Sequence, residues 1–480
     1  MSHEVSYDTL IPNNVNLSSD RRLQRALEDW QPKFLAWWRE SGPSDFLDRE
    51  IYLRTAVGVE SGNWAKFDFV RMPDYRWGIL LAPQEEGRTI GFGEHKGEPV
   101  WQEVPGEYRG LLRRLLVIQG DTEPASVEQQ RFLGHTGPSL FDLRNLFQVN
   151  VEEGRHLWAM AYLLHKYFGR DGREEAEMLL KRTSGDEDRP RILGAFNEET
   201  PDWLSFFMFT SFTDRDGKMQ LESLAQSGFD PLSRSCRFML TEEAHHMFVG
   251  KSGVERILDR TCHMMKEAGI TDPADAGRIR DLKVMDLPLM QRKMNFHYSV
   301  TLDLFGSEVS TNAATAYNAG IKGRLNETKI DDDHQLHNDT YAMMVMKDGQ
   351  FVREHTSAIT AINARLLDDY IVECEGVVDA WNKVIASHGI EFELALPHRA
   401  FNRRQGMFKG SFVSPGGIVL EEASWQAQAE KFLPSNEDLE YVLSLMQPIT
   451  AVGEFASWIS PPKNGVGGKP GDFEYVRIAA

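Results

Sequence analysis

Glu153-Gly154-Arg155-His156 is a Glu followed three residues later by a His, and Glu243-Ala244-His245-His246 repeats this unit 90 residues further along the chain. We call these units the first and the second motif. Both lie inside apolar runs with helical spacing. Residues i and i+3 share one face of a helix, so each motif directs a carboxylate and an imidazole at one point. The pair therefore predicts helices built around one shared site.

Each motif has one further acid upstream, at nearly the same distance. Glu123 precedes Glu153 by 30 residues, and Asp214 precedes Glu243 by 29. Four acids and two histidines, supplied by four helices, form the ligand set of a carboxylate-bridged di-iron or di-manganese site. The six predicted ligands are Glu123, Glu153, His156, Asp214, Glu243 and His246.

The apolar surroundings of these acids imply bound cations. A buried carboxylate costs several kcal/mol unless it is paired or bound to a metal. Two divalent ions would neutralise four carboxylates, and the two imidazoles would complete the protein ligands. Carboxylate mixed with imidazole suits iron or manganese. Open coordination positions would remain for dioxygen.

Chance matches limit what one motif can show. One accidental Glu-x-x-His is expected in a chain of this length, so a single copy has little weight. Two copies, each with an upstream acid, favour a metal centre over surface salt bridges. Glu242 and His245 form a third, overlapping match, which we predict to point away from the core. Asp216 and Glu222 are nearby alternatives to Asp214.

The hydrophobic pattern predicts a mainly α fold. A four-helix bundle is expected over residues 106–310, between a mixed extension over 1–105 and a helical, loop-rich extension over 311–480. Loops and short strands are expected in the two extensions. Trp30, Phe34, Trp37 and Trp38 indicate one amphipathic helix in the first extension. Further expected features are a break at Gly120, a helix from Pro138-Ser139 to Gly169, a helix from Thr200 that ends just before Asp214, a helix stop near Gly250, a long helix over 355–388 and a helix over Asn436–Leu445.

Composition narrows the class of protein. The chain has 480 residues, and its net charge of −19 argues against nucleic acid as the main partner. No apolar stretch approaches the length of a membrane span, and no signal peptide is visible. The three cysteines form no CxxC pair, which favours a reducing cytoplasm.

Other histidines and acids are weaker metal candidates. Asp331-Asp332-Asp333-His334 and His337 resemble a chelating cluster, but their polar surroundings favour a solvated loop or a helix cap. His135 and His165 have no matched acids and are expected to be structural or surface residues.

The two motifs, with their preceding Glu152 and Glu242, resemble the ligand motifs of ferritin-like di-iron proteins. Together with Gln119-Gly120-Asp121-Thr122-Glu123-Pro124-Ala125-Ser126, they more closely resemble the oxygenase components of benzoyl-CoA 2,3-epoxidases, over nearly the whole chain. The resemblance implies a ferritin-like fold and a di-iron monooxygenase. Such an enzyme converts benzoyl-CoA and dioxygen to 2,3-epoxybenzoyl-CoA, with NADPH electrons arriving through a separate flavin and iron–sulfur reductase.

The resemblance also implies roles for individual residues. The six predicted ligands would hold two iron ions, and Gln119 would lie beside them. The Phe-rich segment with Phe206, Phe207, Phe209 and Phe212 would help to form a dry pocket for the aryl group. The candidate cations for the CoA phosphates are Lys322, Arg324, Arg399, Arg403 and Arg404.

Two alternative functions stay open, and a third is disfavoured. A phenylacetyl-CoA-type epoxidase, or another acyl-thioester oxygenase, fits the same residues. A non-catalytic iron-binding protein is a second alternative, although about 300 residues outside the bundle better suit a substrate pocket and partner docking. The radical-generating subunit of ribonucleotide reductase is disfavoured, because no Tyr lies one helical turn after His156.

Overall fold

The computed structural model describes residues 5–44, 46, 49–55, 66–330, 333–465 and 471–478. The fold is mainly α, as predicted, and the described residues form two small antiparallel sheets. The helices are α1 Arg21–Ser41, α2 Arg109–Gln129, α3 Leu140–Lys181, α4 Trp203–Leu224, α5 Asp230–Glu267, α6 Ala276–Asp281, α7 Leu287–Leu302, α8 Thr311–Asn318, α9 Asp333–Asn338, α10 Ile362–Ser387, α11 Glu422–Gln426, α12 Ala429–Phe432 and α13 Asn436–Leu445. The strands are β1 Arg49–Thr55, β2 Lys66–Arg71, β3 Thr340–Lys347, β4 Gln350–Ser357 and β5 Val476–Ile478.

Helices α2, α3, α4 and α5 form the bundle. Helix α2 packs along α3, α4 packs along α5, and α3 meets α5 across the centre. Most residues of α3 as far as Phe168, and of α4 as far as Asp216, are buried. Helices α7 and α10 pack against α4 and α5 from outside. The central helices are therefore covered on nearly all sides, which explains their apolar sequences.

Two predicted helix breaks are wrong, because the glycines serve close packing instead. Helix α2 continues through Gly120 and Pro124, and α5 continues through Gly250. A Cβ at Gly120 would lie only 3.0 Å from the Leu179 side chain of α3. A Cβ at Gly250 would overlap the backbone of Ser211 on α4. Glycine at these positions lets neighbouring helices approach each other closely.

Helix α3 begins as predicted and bends where its end was expected. The Ser139 hydroxyl accepts a hydrogen bond from the Asp142 amide at 3.0 Å, which caps the first turn. Gly169 has φ 60° and ψ −129°, a conformation that favours glycine. The chain then resumes a helix to Lys181. Gly169 is thus a kink rather than an end.

Two further helix boundaries differ from the prediction, and the helix near the C-terminal end agrees with it. Asp214 lies within α4, not after it. Helix α10 begins at Ile362 rather than at 355, because 350–357 forms strand β4. The Asn436–Leu445 helix and the burial of Trp30, Phe34, Trp37 and Trp38 in α1 are confirmed.

The sheet β2-β1-β5 joins the two ends of the chain. Strand β1 pairs with β2 on one side and with β5 on the other. The Gln148 side chain of α3 bonds both the amide and the carbonyl of Arg54, at 2.7 and 3.1 Å. The sheet is therefore fixed beside the first motif. The three-part division of the chain stays a prediction. Among the described residues, none of the helices has the length and apolar character that crossing a membrane requires.

Candidate metal centre

The six predicted ligands converge in the middle of the bundle. Helix α2 supplies Glu123 and α4 supplies Asp214, while α3 and α5 supply the Glu and His of the two motifs. All six residues are at most 6% exposed. The rings of His156 and His246 face each other with centroids 6.1 Å apart. Residues from four helices thus enclose one small volume.

The two motif glutamates each extend between both histidines. For Glu153, Oε2 lies 3.5 Å from Nδ1 of His156 and Oε1 lies 3.6 Å from Nδ1 of His246. For Glu243, Oε1 lies 3.8 Å from the first Nδ1 and Oε2 lies 3.5 Å from the second. Each carboxylate therefore presents one oxygen to each side of the cluster, the geometry of a bridging ligand.

The two upstream acids each lie on one side only. Oε2 of Glu123 is 3.3 Å from Nδ1 of His156, and Oδ2 of Asp214 is 3.7 Å from Nδ1 of His246. In two groups, Glu123 with Glu153 and His156, and Glu153 with Asp214 and His246, the potential ligand atoms lie within 4.8 Å of one another. The two groups share Glu153, so they could hold two neighbouring ions.

Unpaired buried atoms show that this arrangement fits two cations. Nδ1 of His156, Nδ1 of His246 and Oδ2 of Asp214 are buried without a hydrogen-bond partner. The Nε2 atom of each ring faces a carboxylate, so in the neutral imidazole Nε2–H donates and Nδ1 presents its lone pair to the cluster. Carboxylate oxygens and imidazole nitrogens are suitable ligands for iron or manganese.

Without a cation, the cluster retains protons. Burial raises the pKa of Asp214 to about 8 and raises that of Glu153 well above its usual value. Burial alone lowers the pKa of His156 and His246, but the surrounding carboxylates outweigh it and raise both well above normal. Four acids in one apolar volume therefore need either protons or metal ions to balance their charge.

Two functional residues were not recognised as such from the sequence. Glu242, predicted to point away from the core, is 3% exposed, and its Oε2 lies 3.1 Å from Nε2 of His156. Glu152, its counterpart in the first motif, has Oε2 3.2 Å from Nε2 of His246. Each therefore holds the histidine of the other motif. The signal was the Glu-Glu pair that opens both motifs.

Arg155 joins the two histidine-holding carboxylates. Its guanidinium contacts Glu242 directly, and its Nη2 lies 3.4 Å from Oε1 of Glu152. Nη1 donates to the Tyr75 hydroxyl at 2.9 Å. The side chain is 1% exposed, so one buried cation compensates two buried anions.

The positions of Gln119 and Asp216 decide two further predictions about the site. Gln119 donates from Nε2 to Oε1 of Glu123 at 2.9 Å, beside the cluster as expected. Asp216 accepts from Gln220 at 2.9 Å and belongs to neither ligand group, so the structure favours Asp214 over this alternative.

The phenylalanines of α4 are all buried, and three pack in the core. Phe206 and Phe207 contact Trp203, and Phe212 contacts Tyr298 and Trp381. Phe209 instead joins a small apolar cluster with Phe196 and Ala125, and Ala125 lies two residues after Glu123. The aryl pocket stays a prediction, and Phe209 is the one of these four phenylalanines that lies in this separate cluster.

The five candidate cations for CoA phosphates all have partners within the chain. Their role in CoA binding stays a prediction. The contacts are Lys322 with Gln220 at 2.6 Å, Arg324 with Glu327 at 2.9 Å, Arg399 with Asp368 at 2.6 Å, Arg403 with Asp303 at 2.7 Å, and Arg404 with Glu198.

Among the described residues, the weaker metal candidates belong to neither ligand group of this centre. Asp331 and Asp332 lie outside the described residues, and His337 is exposed in α9. His135 bonds the Ser44 hydroxyl at 2.7 Å, and His165 bonds the Ala161 carbonyl at 2.8 Å. His135 is exposed and His165 is buried, in line with the expectation of surface or structural residues.

Comparison with known proteins provides a full-length relative. The chain is 59% identical, over 474 residues, to benzoyl-CoA oxygenase component B of Aromatoleum evansii. The similarity covers 99% of this chain and 100% of that protein. No family model matches the chain.

Proposed function

The chain belongs to the family of benzoyl-CoA oxygenase component B, and we propose that it is a di-iron monooxygenase that converts benzoyl-CoA to 2,3-epoxybenzoyl-CoA. The full-length identity to the Aromatoleum protein is the observation that supports this substrate. The reaction consumes benzoyl-CoA, dioxygen, two electrons and two protons. One oxygen atom enters the ring, and the other leaves as water.

The buried cluster supports the metal part of the proposal. Glu153 and Glu243, which reach both histidines, would hold two iron ions together with Glu123, His156, Asp214 and His246. Two Fe(II) ions would balance the charge of the four carboxylates. When bound, the iron pair would supply the reduction of dioxygen and the activation of one of its oxygen atoms for insertion.

The protein's own residues would prepare this site. Glu242 and Glu152 accept hydrogen bonds from Nε2 of the two histidines, which fixes the tautomer that presents Nδ1. Gln119 orients Glu123 through its amide. The near-complete burial of the ligands excludes bulk water, which protects reactive oxygen from side reactions.

The proposal includes a protein partner. The name component B, carried by the relative, supports a separate component. We assign to it the transfer of NADPH electrons through flavin and iron–sulfur centres. A cytoplasmic location is part of the same proposal, supported by three buried cysteines without disulfides.

A single-turnover experiment tests the proposal. Iron-loaded protein is reduced chemically without oxygen, then mixed with ¹⁸O-labelled dioxygen and either benzoyl-CoA or phenylacetyl-CoA. We expect benzoyl-CoA to gain one labelled atom, as measured by mass spectrometry. Labelling of phenylacetyl-CoA alone would show that phenylacetyl-CoA, and not benzoyl-CoA, is the substrate. Absence of label from both, in protein that contains two irons, would refute the oxygenase and favour a non-catalytic iron protein.

A further inference from the structure

One of the two motif histidines is connected to the protein surface. His246 contacts Glu152, and Oε1 of Glu152 lies 3.3 Å from Nη2 of Arg54, whose side chain is 32% exposed. On the other side, His156 contacts Glu242, whose cation Arg155 is 1% exposed. Of these two sets of contacts, the one through Arg54 and Glu152 therefore connects the cluster to solvent.

The residues around this route include several aromatic rings. The Arg144 guanidinium lies 5.1 Å from the ring centre of Phe67 and 3.4 Å from Nε2 of His245. The His245 ring stacks on Phe248 with centroids 6.5 Å apart, and Phe248 is 55% exposed. Tyr52 packs on Phe67 at 5.5 Å. We name Tyr52, Arg54, Phe67, His245 and Phe248, with the adjoining sheet β2-β1-β5, the sheet face.

The sheet face differs in charge from the rest of the protein. On the side of the sheet that carries Tyr52 and Phe67, the described strands place three cations, Arg54, Arg71 and Arg477, and one acid, Glu50. The whole chain has 53 cations and 72 acids. Arg71 is exposed, and Arg477 is 44% exposed over the ring of Phe69. A cationic face on an acidic protein attracts a partner with an acidic surface.

The face also has the composition and relief of a protein interface. Exposed arginines among Tyr and Phe are typical of residues that contribute most to binding. A cavity of about 290 Å³ opens beside Phe248, between Phe141, Arg256 and Pro461. Such a cavity can receive a side chain from a partner.

We propose that the sheet face docks the acidic surface of the electron-donating partner, a reduced iron–sulfur reductase component. This inference rests on the proposed function, because only an oxygenase needs that donor. At the docked face the partner's iron–sulfur centre is oxidised, and the iron pair behind His246 gains its electrons, two for each turnover. Arg54, Glu152 and His246 connect the face to the cluster.

The test separates docking from chemistry. The variant Phe248→Ala/Arg71→Glu changes the face without touching a ligand or its hydrogen bonds. The control Phe132→Ala/Arg170→Glu makes the same two types of change elsewhere. Phe132 is 67% exposed, and the Arg170 side chain is 90% exposed. Stopped-flow absorbance follows anaerobic reduction of each iron-loaded protein. The reductant is either NADPH with a purified reductase component of a benzoyl-CoA oxygenase or dithionite alone.

We expect the face variant to be reduced by the reductase roughly tenfold more slowly or worse, with a weaker dependence on salt. Dithionite should reduce all three proteins equally, and the control should match the wild type. Equal reductase rates in the face variant and the control would overturn the proposal. So would a self-association that sedimentation detects in the wild type and not in the face variant, because a second copy would then occupy the face. The single-turnover experiment with chemically reduced protein tests the proposed function independently of docking.

Discussion

His246 belongs to the second motif and Glu152 directly precedes the first, yet Nε2 of His246 lies 3.2 Å from Oε2 of Glu152. His156 and Glu242 repeat the relationship in the opposite direction at 3.1 Å. Helices α3 and α5 therefore each contribute a histidine and the carboxylate that holds the histidine of the other helix. This exchange couples the two halves of the cluster and suggests several tests.

Replacing Glu152 with Gln should weaken metal binding without unfolding the protein. The amide lacks the charge that fixes the His246 tautomer, and loss of such a partner typically costs about 10- to 100-fold in metal affinity. Chelator competition with metal analysis measures the change. Glu174→Gln, at a side chain 63% exposed, is the matched control and should bind iron normally. Equal affinities in the two variants would show that Glu152 does not support the site.

Replacing ligands should remove the metal. In His246→Ala and Glu153→Ala, iron per chain should fall well below two, while circular dichroism retains the helical signal. His263→Ala changes a histidine that is 48% exposed and should keep full loading. Two irons retained in both ligand variants would exclude this cluster as the metal centre.

Replacing Arg155 with Leu should destabilise the metal-free protein by about 3 kcal/mol or more, because it leaves two buried carboxylates without their shared cation. Tyr75→Phe removes only one hydrogen bond to the same guanidinium and should cost about 1 kcal/mol. Urea unfolding of both chelator-treated variants measures the difference. Similar costs for the two changes would mean that Arg155 acts mainly through Tyr75.

Metal removal should make stability depend on pH. Burial raises the folded-state pKa of Asp214 to about 8, above the unfolded value of about 4, and carboxylates raise that of His246 above about 6.5 despite its burial. Groups with a raised folded pKa stabilise the fold at low pH and lose that contribution as pH rises through the folded value. The Tm of chelator-treated protein should therefore fall between about pH 6 and pH 8.5. The iron-loaded protein should show a smaller change, since metal displaces these protons. A rise in Tm of the metal-free protein over this range would contradict the assignment.

The packing of α4 on α5 can be tested at Gly253. A Cβ there would overlap the ring of Phe207, so Gly253→Ala should cost about 1–3 kcal/mol. Gly217 lies in α4, and a Cβ at this position would have no neighbour within 4 Å. Gly217→Ala should therefore be neutral or stabilising by up to about 1 kcal/mol. Thermal unfolding of both variants gives the comparison. Equal destabilisation would mean that contact with Phe207 is not the cause.

The errors in the sequence analysis share one physical origin. Gly120 and Gly250 suggested helix breaks, because glycine is a poor helix former in isolation. In the fold, each glycine removes a side chain where two helices meet, and packing outweighs propensity. The short strands around Arg54 were equally difficult to predict, since their pairing joins residues 49–51 to 476–478.

Four of the six clustered residues were available from the sequence, because the i, i+3 spacing within a helix is a local property that needs no knowledge of packing. Glu123 and Asp214 followed from their nearly equal distances upstream of the two motifs. Helix class and most helix positions followed from the same periodicity. The sequence did not show in which direction the side chains of Glu152 and Glu242 point. Which histidine each one faces depends on how far α3 and α5 are rotated and shifted against each other, and contacts distant in sequence set that relation. Only the tertiary structure could therefore distinguish a carboxylate at the surface from one that holds the opposite histidine.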